Sequence, residues 1–366
     1  MPPQLFLKKI IIASGGTGGH IFPAYSLAKH FIDNKIKVVM ITDKRGFKYL
    51  KKYNDFEIIQ IPSATIFSKN IFQLLFSALI IFYSILRSLI FLSKNRPNLV
   101  FGMGGYSSFP ICIAAKILKI QFIIYENNLH MGKANRFLLP FAKKVFVSFK
   151  ELQGVKERYK KKVYEIGNII RKEILNFKAT IDVNSKNKKL KILILGGSQA
   201  AKIFAETLPE IFKKCNEINI PIKIYQQCLP EQNKILSSFY SNLKIDFEIF
   251  NFSDNILDYF SKINLVITRS GSSMLAELIN AKIPFITVPL PSSADNHQLK
   301  NAIYYKKNGY SYLVEEKDLK IKLFQLLKKI NEDKSLLRQL IDKQSQYSDK
   351  RVYENIDKLL NKNEEY

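Results

Sequence analysis

Along the first 150 or so residues, short apolar runs rich in β-branched side chains alternate with longer helix-like stretches. Ile10 to Ala13 is followed by Pro23 to Asn34 and Lys37 to Ile41, and the alternation resumes at Leu99 to Phe101, Phe122 to Tyr125 and Val145 to Phe149. Strands apolar on both sides and spaced by helices predict a parallel sheet covered on both faces. From Arg171 to Lys189 the pattern dissolves into a polar stretch rich in Lys and Asn, which reads as a linker or surface loop. It then restarts with a strand at Lys191 to Leu195, a glycine loop, a helix to about Cys215, and strands at Lys223 to Tyr225, Leu265 to Thr268 and Phe285 to Val288. The predicted fold class is therefore α/β, with two Rossmann-like doubly wound domains facing across a cleft at the carboxyl ends of their strands. The domains are expected at residues 1–167 and 168–345, with a C-terminal helix at about 346–366 packing back on the first. The charged segment from Asn331 onward reads as solvated helices without chemistry of their own.

The stretch Ile71 to Leu92 breaks the rhythm, because its apolar character is interrupted only by Gln73, a few serines and Arg87. It is long enough to cross a bilayer. A strand and a glycine loop follow it, however, in the pattern that precedes it, and crossing would put two halves of one sheet on opposite sides of the membrane. The favoured expectation is a helix that is partly core and partly exposed. Its apolar face would dip into the lipid interface, with Lys69, Arg87, Lys94 and Arg96 near the headgroups. An ordinary buried helix and a true span are the alternatives. The opening MPPQLFLKKIIIASGG carries an apolar run too short for a span and leads straight into a glycine loop, so it reads as a strand and not a signal peptide.

With 366 residues, 47% of them hydrophobic, the chain can build two cores. Its 57 Lys and Arg against 31 Asp and Glu give a net charge of +26, which favours an anionic partner such as a nucleic acid, a phospholipid surface or a phosphorylated substrate. A general drift toward Lys, Asn and Ile accounts for the same excess. The three cysteines, Cys112, Cys215 and Cys228, have no paired spacing, so neither a disulfide framework nor a zinc site is suggested and a reducing cytoplasm fits.

Six segments carry candidate chemistry, each at a strand's end. Ser14-Gly15-Gly16-Thr17-Gly18-Gly19-His20 lets a ligand approach the backbone where a helix begins. It is not a Walker A loop, and Ile21 stands where a dinucleotide fingerprint needs glycine or alanine. A tight turn requiring only glycine is the plain alternative, but His20 can take a proton from a hydroxyl at neutral pH. Gly102-Met103-Gly104-Gly105-Tyr106-Ser107 is weak alone and, paired with the first loop, forms a plausible wall of an acceptor site. Tyr125-Glu126-Asn127-Asn128, followed by Gly132 to Arg136, offers an acid and amides for sugar hydroxyls, or equally a capped surface turn.

The remaining three lie in the second half. Gly196-Gly197-Ser198-Gln199 opens a helix whose amides suit a pyrophosphate. Thr268 to Glu277 (TRSGSSMLAE) places small residues at another helix start, with Glu277 positioned for both ribose hydroxyls or else on a solvated helix face. Ala294-Asp295-Asn296-His297-Gln298 presents amide and acid groups suited to reading a sugar's hydroxyl pattern, although Asp295 or Asn296 also suits a helix cap. No D-x-D occurs, so a metal-independent reaction is expected, with helix termini and positive groups stabilising a leaving diphosphate.

In this order, from Ile10 to about Gly309, the motifs GGTGGH, GMGGY, GGSQ, AEL and ADNHQ resemble the MurG family of UDP-GlcNAc transferases, which have the GT-B fold. The resemblance implies an acceptor and membrane-facing first domain and a UDP-GlcNAc-binding second one. It places Thr17, Gly18 and Gly19 on the sugar and acceptor side beside Gly104, Gly105 and Tyr106, with His20 as base and Glu126 supporting catalysis. It places Asn128 on the GlcNAc, Arg171 and Ser198 on the diphosphate, and Ser253 on the uracil. Ser272, Ser273, Met274, Leu275, Ala276 and Glu277 would hold phosphate and ribose, and Gln298 the GlcNAc hydroxyls. No cofactor and no metal are implied.

Three departures stand out. Where the family has His-Glu-Gln-Asn this chain has Tyr125-Glu126-Asn127-Asn128, and where it has Gly-Asn-Pro-Val-Arg this chain has Gly167-Asn168-Ile169-Ile170-Arg171. A His-Gln pair of the donor domain appears as Tyr225-Gln226-Gln227. Loss of the proline is expected to loosen the interdomain hinge.

The implied reaction inverts the anomeric carbon, as the muramyl C4 hydroxyl of the lipid-linked pentapeptide attacks UDP-GlcNAc. The expected location is the cytoplasmic face of the bacterial inner membrane, with an anionic lipid surface and other cell-wall synthesis proteins as partners and no nucleic acid. The rivals are a non-catalytic sugar-nucleotide-binding scaffold and an NAD-dependent oxidoreductase, the latter supported only by Asp43 at the end of the second strand.

Overall fold

The computed structural model describes residues 7–64, 71–177, 189–251, 253 and 255–361, with the backbone alone at 197–201. Lys69 and most of the polar stretch before Lys189 lie outside the described residues. The chain forms two compact units, one from Met1–Lys172 with Asp349–Tyr366 and the other from Glu173–Ser348.

The first unit holds the strands β1 (Lys9–Ala13), β2 (Lys37–Thr42), β3 (Glu57–Gln60), β4 (Leu99–Gly102), β5 (Phe122–Glu126), β6 (Lys144–Val147) and β7 (Val163–Glu165). They form one sheet in the order β3-β2-β1-β4-β5-β6-β7, with every pairing parallel. The second unit holds β8 (Leu190–Leu195), β9 (Ile222–Gln227), β10 (Asp246–Phe250), β11 (Leu265–Thr268), β12 (Phe285–Thr287) and β13 (Tyr312–Leu313). Its order, β10-β9-β8-β11-β12-β13, repeats the first and is again parallel. The central strands β1, β4, β5 and β8 are buried almost throughout, which is why they read as unbroken apolar runs.

The helices of the first unit are α1 (Gly18–Asp33), α2 (Lys44–Leu50), α3 (Ile71–Asn95), α4 (Phe109–Ile117) and α5 (Lys133–Leu138). Then come α6 (Lys172–Asn176), α7 (Gly197–Glu217), α8 (Asn233–Asn242), α9 (Leu257–Phe260), α10 (Ser272–Asn280), α11 (His297–Lys307), α12 (Phe324–Glu332) and α13 (Ser335–Ser345). The last, α14 (Val352–Asn361), belongs to the first unit. It is not merely solvated: Asp357 meets His30 of α1 at 2.8 Å, and the Tyr353 ring stacks on that imidazole at 4.6 Å.

Helix α3 is inside out. Its buried residues are Ser84, Ser88 and Leu92, while Phe72, Leu75, Phe76, Leu79, Phe82 and Ile90 are each more than half exposed. The serine hydroxyls find partners within the protein, since Ser84 donates to the Pro62 and Ile80 carbonyls and Ser88 to that of Ser84, all at 2.7 Å. The reading as an ordinary buried helix is therefore wrong. A span is equally at odds with the fold, because β1 to β3 before this helix and β4 after it share one sheet.

The two departures in the first unit meet in one hydrogen bond. Tyr125 is buried, and its hydroxyl accepts from the Ile169 amide at 3.0 Å while lying 2.8 Å from Ser148 Oγ. A proline at 169 would have no N–H to give. Burial pushes the Tyr125 phenol well above its usual range, so it stays a neutral partner. The Asp349 carboxylate accepts from Asn168 N at 2.9 Å and Nδ2 at 3.1 Å, and Tyr353 donates to the Ile170 carbonyl at 2.7 Å. Tyr125→Phe is expected to destabilise the first unit by about 1–3 kcal/mol, the cost of a buried unsatisfied amide. The double change with Ile169→Pro should recover most of that loss in denaturant melts. Additive losses would show that the two positions are independent.

Candidate functional site

Parallel strands send all their carboxyl ends to one edge, and the strand order decides which loops meet there. Because β1 pairs with β4, Ala13 stands opposite Gly102 and the Met103 amide donates to the Ala13 carbonyl at 2.8 Å. The loops from Ser14 and from Met103, about 90 residues apart in sequence, thereby become neighbours. Their packing needs glycine at two positions. A Cβ on Gly15 would stand 2.1 Å from Ser107 Oγ, so no larger residue fits. Gly104 has φ +83, and a Cβ there would stand 3.1 Å from Cε1 and Nδ1 of His20. The His20 ring thus lies against the second glycine loop, in the first turn of α1, with Nδ1 buried.

Thr17 is the N-cap residue of α1, and the helix starts at Gly18, earlier than the expected Pro23. Pro23 lies inside it and has no N–H for the carbonyl four residues back, that of Gly19. That carbonyl instead accepts from Asn127 Nδ2 at 3.0 Å, tying the loop after β5 to the loop after β1.

Glu126 ends β5 and is 2% exposed. One carboxylate oxygen accepts from Asn128 N and Nδ2 at 3.1 and 3.0 Å, and the other from Gly132 N and Asn135 Nδ2, both at 2.9 Å. The carboxylate is enclosed by its own loop, which it shapes: Asn128 turns back onto it, while the buried Asn127 reaches the Gly19 carbonyl. Asn135, buried and also donating to the Tyr125 carbonyl at 3.0 Å, is a site residue that sequence reasoning did not single out. An Asn in the first turn of a short helix was the available signal.

Asp43 supports the first loop from the side. Its carboxylate accepts from Gly16 N at 3.1 Å, Gly46 N at 2.8 Å and Ser63 Oγ at 3.0 Å, with Arg45 at 3.3 Å. Burial alone raises its pKa, but these donors and the Arg45 charge outweigh burial and hold it below the usual carboxylate range. Asp43 is therefore committed to the loop and to capping α2, which removes the one feature that favoured a nicotinamide ribose. Arg171 lies in the first unit, near Lys52, whose pKa is lowered by burial and then by the Arg171 charge. It does not share a unit with Ser198, Ser253 or Glu277.

The second unit repeats the arrangement. β8 pairs with β11, so Leu195 stands opposite Thr268 and the loops at Gly196 and Arg269 are neighbours. Ser198 falls in the first turn of α7, but its side chain lies outside the described residues, as do Phe252 and Asp254 on either side of the half-buried Ser253. Helix α10 begins at Ser272 directly after its N-cap residue Gly271. Its first-turn amides at Ser272, Ser273 and Met274 face the carboxyl edge, and Glu277 is only 6% exposed, so it is not on a solvated helix face. Leu275 and Ala276 send their side chains wholly into the core.

Arg269 is the organiser that the sequence reading missed. Buried, it donates to the Val288 and Pro289 carbonyls at 3.1 and 3.2 Å, pairs with Glu316 at 2.6 Å and covers the Phe204 ring at 5.1 Å. It joins the ends of β11 and β12. The signal was a lone arginine between an apolar strand and a serine-glycine turn. Beyond β12, Asp295 and Asn296 have φ of +50 and +53, a sharp left-handed turn closed by His297 Nδ1 at 2.7 Å from the Ala294 carbonyl. This turn starts α11 and brings Gln298 Oε1 to accept from the Leu290 amide at 3.0 Å.

Residues 10–147 match the glycosyltransferase family 28 N-terminal domain and residues 191–359 the glycosyltransferase family 28 C-terminal domain. A UDP-N-acetylglucosamine--N-acetylmuramyl-(pentapeptide) pyrophosphoryl-undecaprenol N-acetylglucosamine transferase of Pelagibacter ubique (strain HTCC1062) is 34% identical over 337 residues, covering 92% of this chain and 89% of its own. The protein of the same name from Rickettsia bellii (strain RML369-C) is 36% identical over 318 residues, 86% of this chain and 87% of its own. In fold, the crystal structure of Acinetobacter baumannii MurG superposes with a TM-score of 0.76 at 24% identity, covering 97% of this chain and 99% of that one. The S. aureus MnaA–UDP structure follows the same architecture with a TM-score of 0.66 at 15% identity, over 96% and 95% of the two chains. The chain, with its two parallel sheets and paired glycine loops, belongs to glycosyltransferase family 28 and, within it, to the MurG family.

Proposed function

We propose that this chain transfers N-acetylglucosamine from UDP-GlcNAc to the C4 hydroxyl of a polyprenyl-diphosphate-linked muramyl pentapeptide, the reaction named for its relatives from Pelagibacter and Rickettsia. The observation that carries this reading is the placement of His20 against Gly104, which sets an imidazole between two glycine loops at the carboxyl edge of the first sheet. The acceptor hydroxyl gives its proton to His20 as its oxygen bonds to the anomeric carbon, and the bond from that carbon to the UDP oxygen breaks. Negative charge then grows on the departing diphosphate, where first-turn amides of α7 and α10 and the Arg171 guanidinium stabilise it. Thr17, Gly18, Gly19, Gly104, Gly105 and Tyr106 line the acceptor side. Glu126 acts through its loop, holding Asn127 and Asn128 in place, and Asn128 reaches the GlcNAc. Ser253 marks the uracil side, Glu277 holds the ribose hydroxyls and Gln298 the GlcNAc hydroxyls.

The second element of the proposal is location. The outward apolar face of α3, with Arg87, Lys94 and Arg96 on or just beyond the same helix, would lie in the headgroup region of an anionic membrane. Other cell-wall synthesis proteins at that surface are natural partners.

His20→Ala should lower kcat by about 10²- to 10⁴-fold while UDP-GlcNAc still binds, and transfer should persist in a metal chelator. Labelled UDP-GlcNAc with a short-chain lipid-linked acceptor measures both, and undiminished turnover would remove His20 from the chemistry. Glu277→Ala should raise the KM for UDP-GlcNAc about tenfold to a hundredfold, the loss of a charge-assisted hydrogen bond pair, with acceptor KM unchanged. The double variant Leu75→Glu and Leu79→Glu should weaken sedimentation with anionic vesicles by at least about tenfold without altering turnover of a water-soluble acceptor. Equal vesicle binding would place the membrane contact elsewhere.

A further inference from the structure

The first unit contains a cavity that shares only Tyr106 with the acceptor side described above. It is about 420 Å³ counting its open mouth and is lined by Ala64, Ile81, Tyr106, Phe109, Lys133 and Phe137, with Ala134 in its wall. Its surface is almost wholly carbon, so it is suited to a hydrocarbon and not to a sugar or a peptide.

Its two ends differ. At one end, Tyr106 directly follows Gly105, and a Cβ on Gly105 would stand 3.2 Å from the Gly15 carbonyl and 3.5 Å from Cδ2 of His20. The cavity therefore begins one residue from the proposed base. At the other end Ile81 belongs to α3, whose outer face is apolar, and Phe137 is 58% exposed. Phe137 stands edge-on to Phe109 at 5.2 Å and neighbours the exposed Phe141 at 6.4 Å, extending the apolar surface across α5. Lys133 is the one charged residue in the lining.

We infer that this cavity is the seat of the first prenyl units of the acceptor, entered from the apolar surface of α3 and α5, with Lys133 beside the diphosphate that links prenyl chain to sugar. This rests on the acceptor being a polyprenyl diphosphate, as proposed above. Along such a molecule, sugar, diphosphate and hydrocarbon would meet His20, Lys133 and the carbon-lined cavity in turn. A membrane surface alone would hold the acceptor's tail but leave its head free to rotate. Seating the first prenyl units fixes the distance between the membrane plane and the attacking hydroxyl.

The test needs no turnover. With UDP present to occupy the donor loops, binding of geranyl diphosphate and of inorganic diphosphate is compared for the intact chain and for Ala134→Phe, which fills the cavity from a half-exposed wall. Lys133→Gln is the third protein, and thermal melting of both variants confirms folding. Geranyl diphosphate should bind the intact chain at least about tenfold tighter than inorganic diphosphate. Ala134→Phe should abolish that difference, and Lys133→Gln should weaken both ligands alike. Equal binding of the two ligands, or a preference that survives Ala134→Phe, would overturn the inference. So would weaker vesicle binding by Ala134→Phe with the geranyl preference intact, which would assign the cavity to a membrane acyl chain. The proposed function is tested separately, by transfer to the muramyl acceptor. A chain that binds geranyl diphosphate in this way yet transfers no GlcNAc would sink that reading and leave the cavity assignment standing.

Discussion

The pairing of β1 with β4, and of β8 with β11, is the constraint on which the rest of the molecule depends. In a parallel sheet every strand must be re-entered from the same end, so adjacent strands are always separated by a long excursion of chain. When the order reverses beside the first strand, the two excursions leave on opposite sides and a gap opens between the loops. Each unit places its glycine-rich segments at that gap. The His20 ring against Gly104, the Asn127 bond to the Gly19 carbonyl and the Asp43 clasp on Gly16 are all consequences of which strand lies next to which.

Much of this was legible in the sequence because the signals are local. Unbroken apolar runs of β-branched residues mark buried parallel strands, and glycine loops mark where each strand hands over to a helix. The domain matches to family 28, over residues 10–147 and 191–359, span the segments that carry these motifs. What was not legible depends on where side chains turn once the backbone is folded. Asp43 was the one residue in favour of the oxidoreductase rival until its four donors were in view, and Glu126 offered itself as an acid for catalysis until Asn128, Gly132 and Asn135 were seen to enclose it. The start of α1 was misplaced because a proline normally marks a first turn, whereas Pro23 sits further in and its missing N–H is put to use.

Helix α3 was expected from the sequence to be partly exposed with an apolar outer face, and the inward-facing Ser84 and Ser88 add which side is turned to the protein. Ser84 anchors the inward side on the Pro62 carbonyl, and the large apolar side chains are left on the outer one. The apolar belt that results runs onto α5, beside the loops that carry the proposed base. On the proposed reading, a lipid-linked substrate and a membrane surface would be served by the same stretch of hydrocarbon.

The bond between Tyr125 and the Ile169 amide ties the two positions together unequally. Loss of the Tyr125 hydroxyl leaves a buried amide donor without that acceptor, whereas loss of the amide still leaves the hydroxyl beside Ser148 Oγ. Of the two positions it is therefore 125 that tolerates change less, and a substitution there is felt at a residue 44 positions away in the chain.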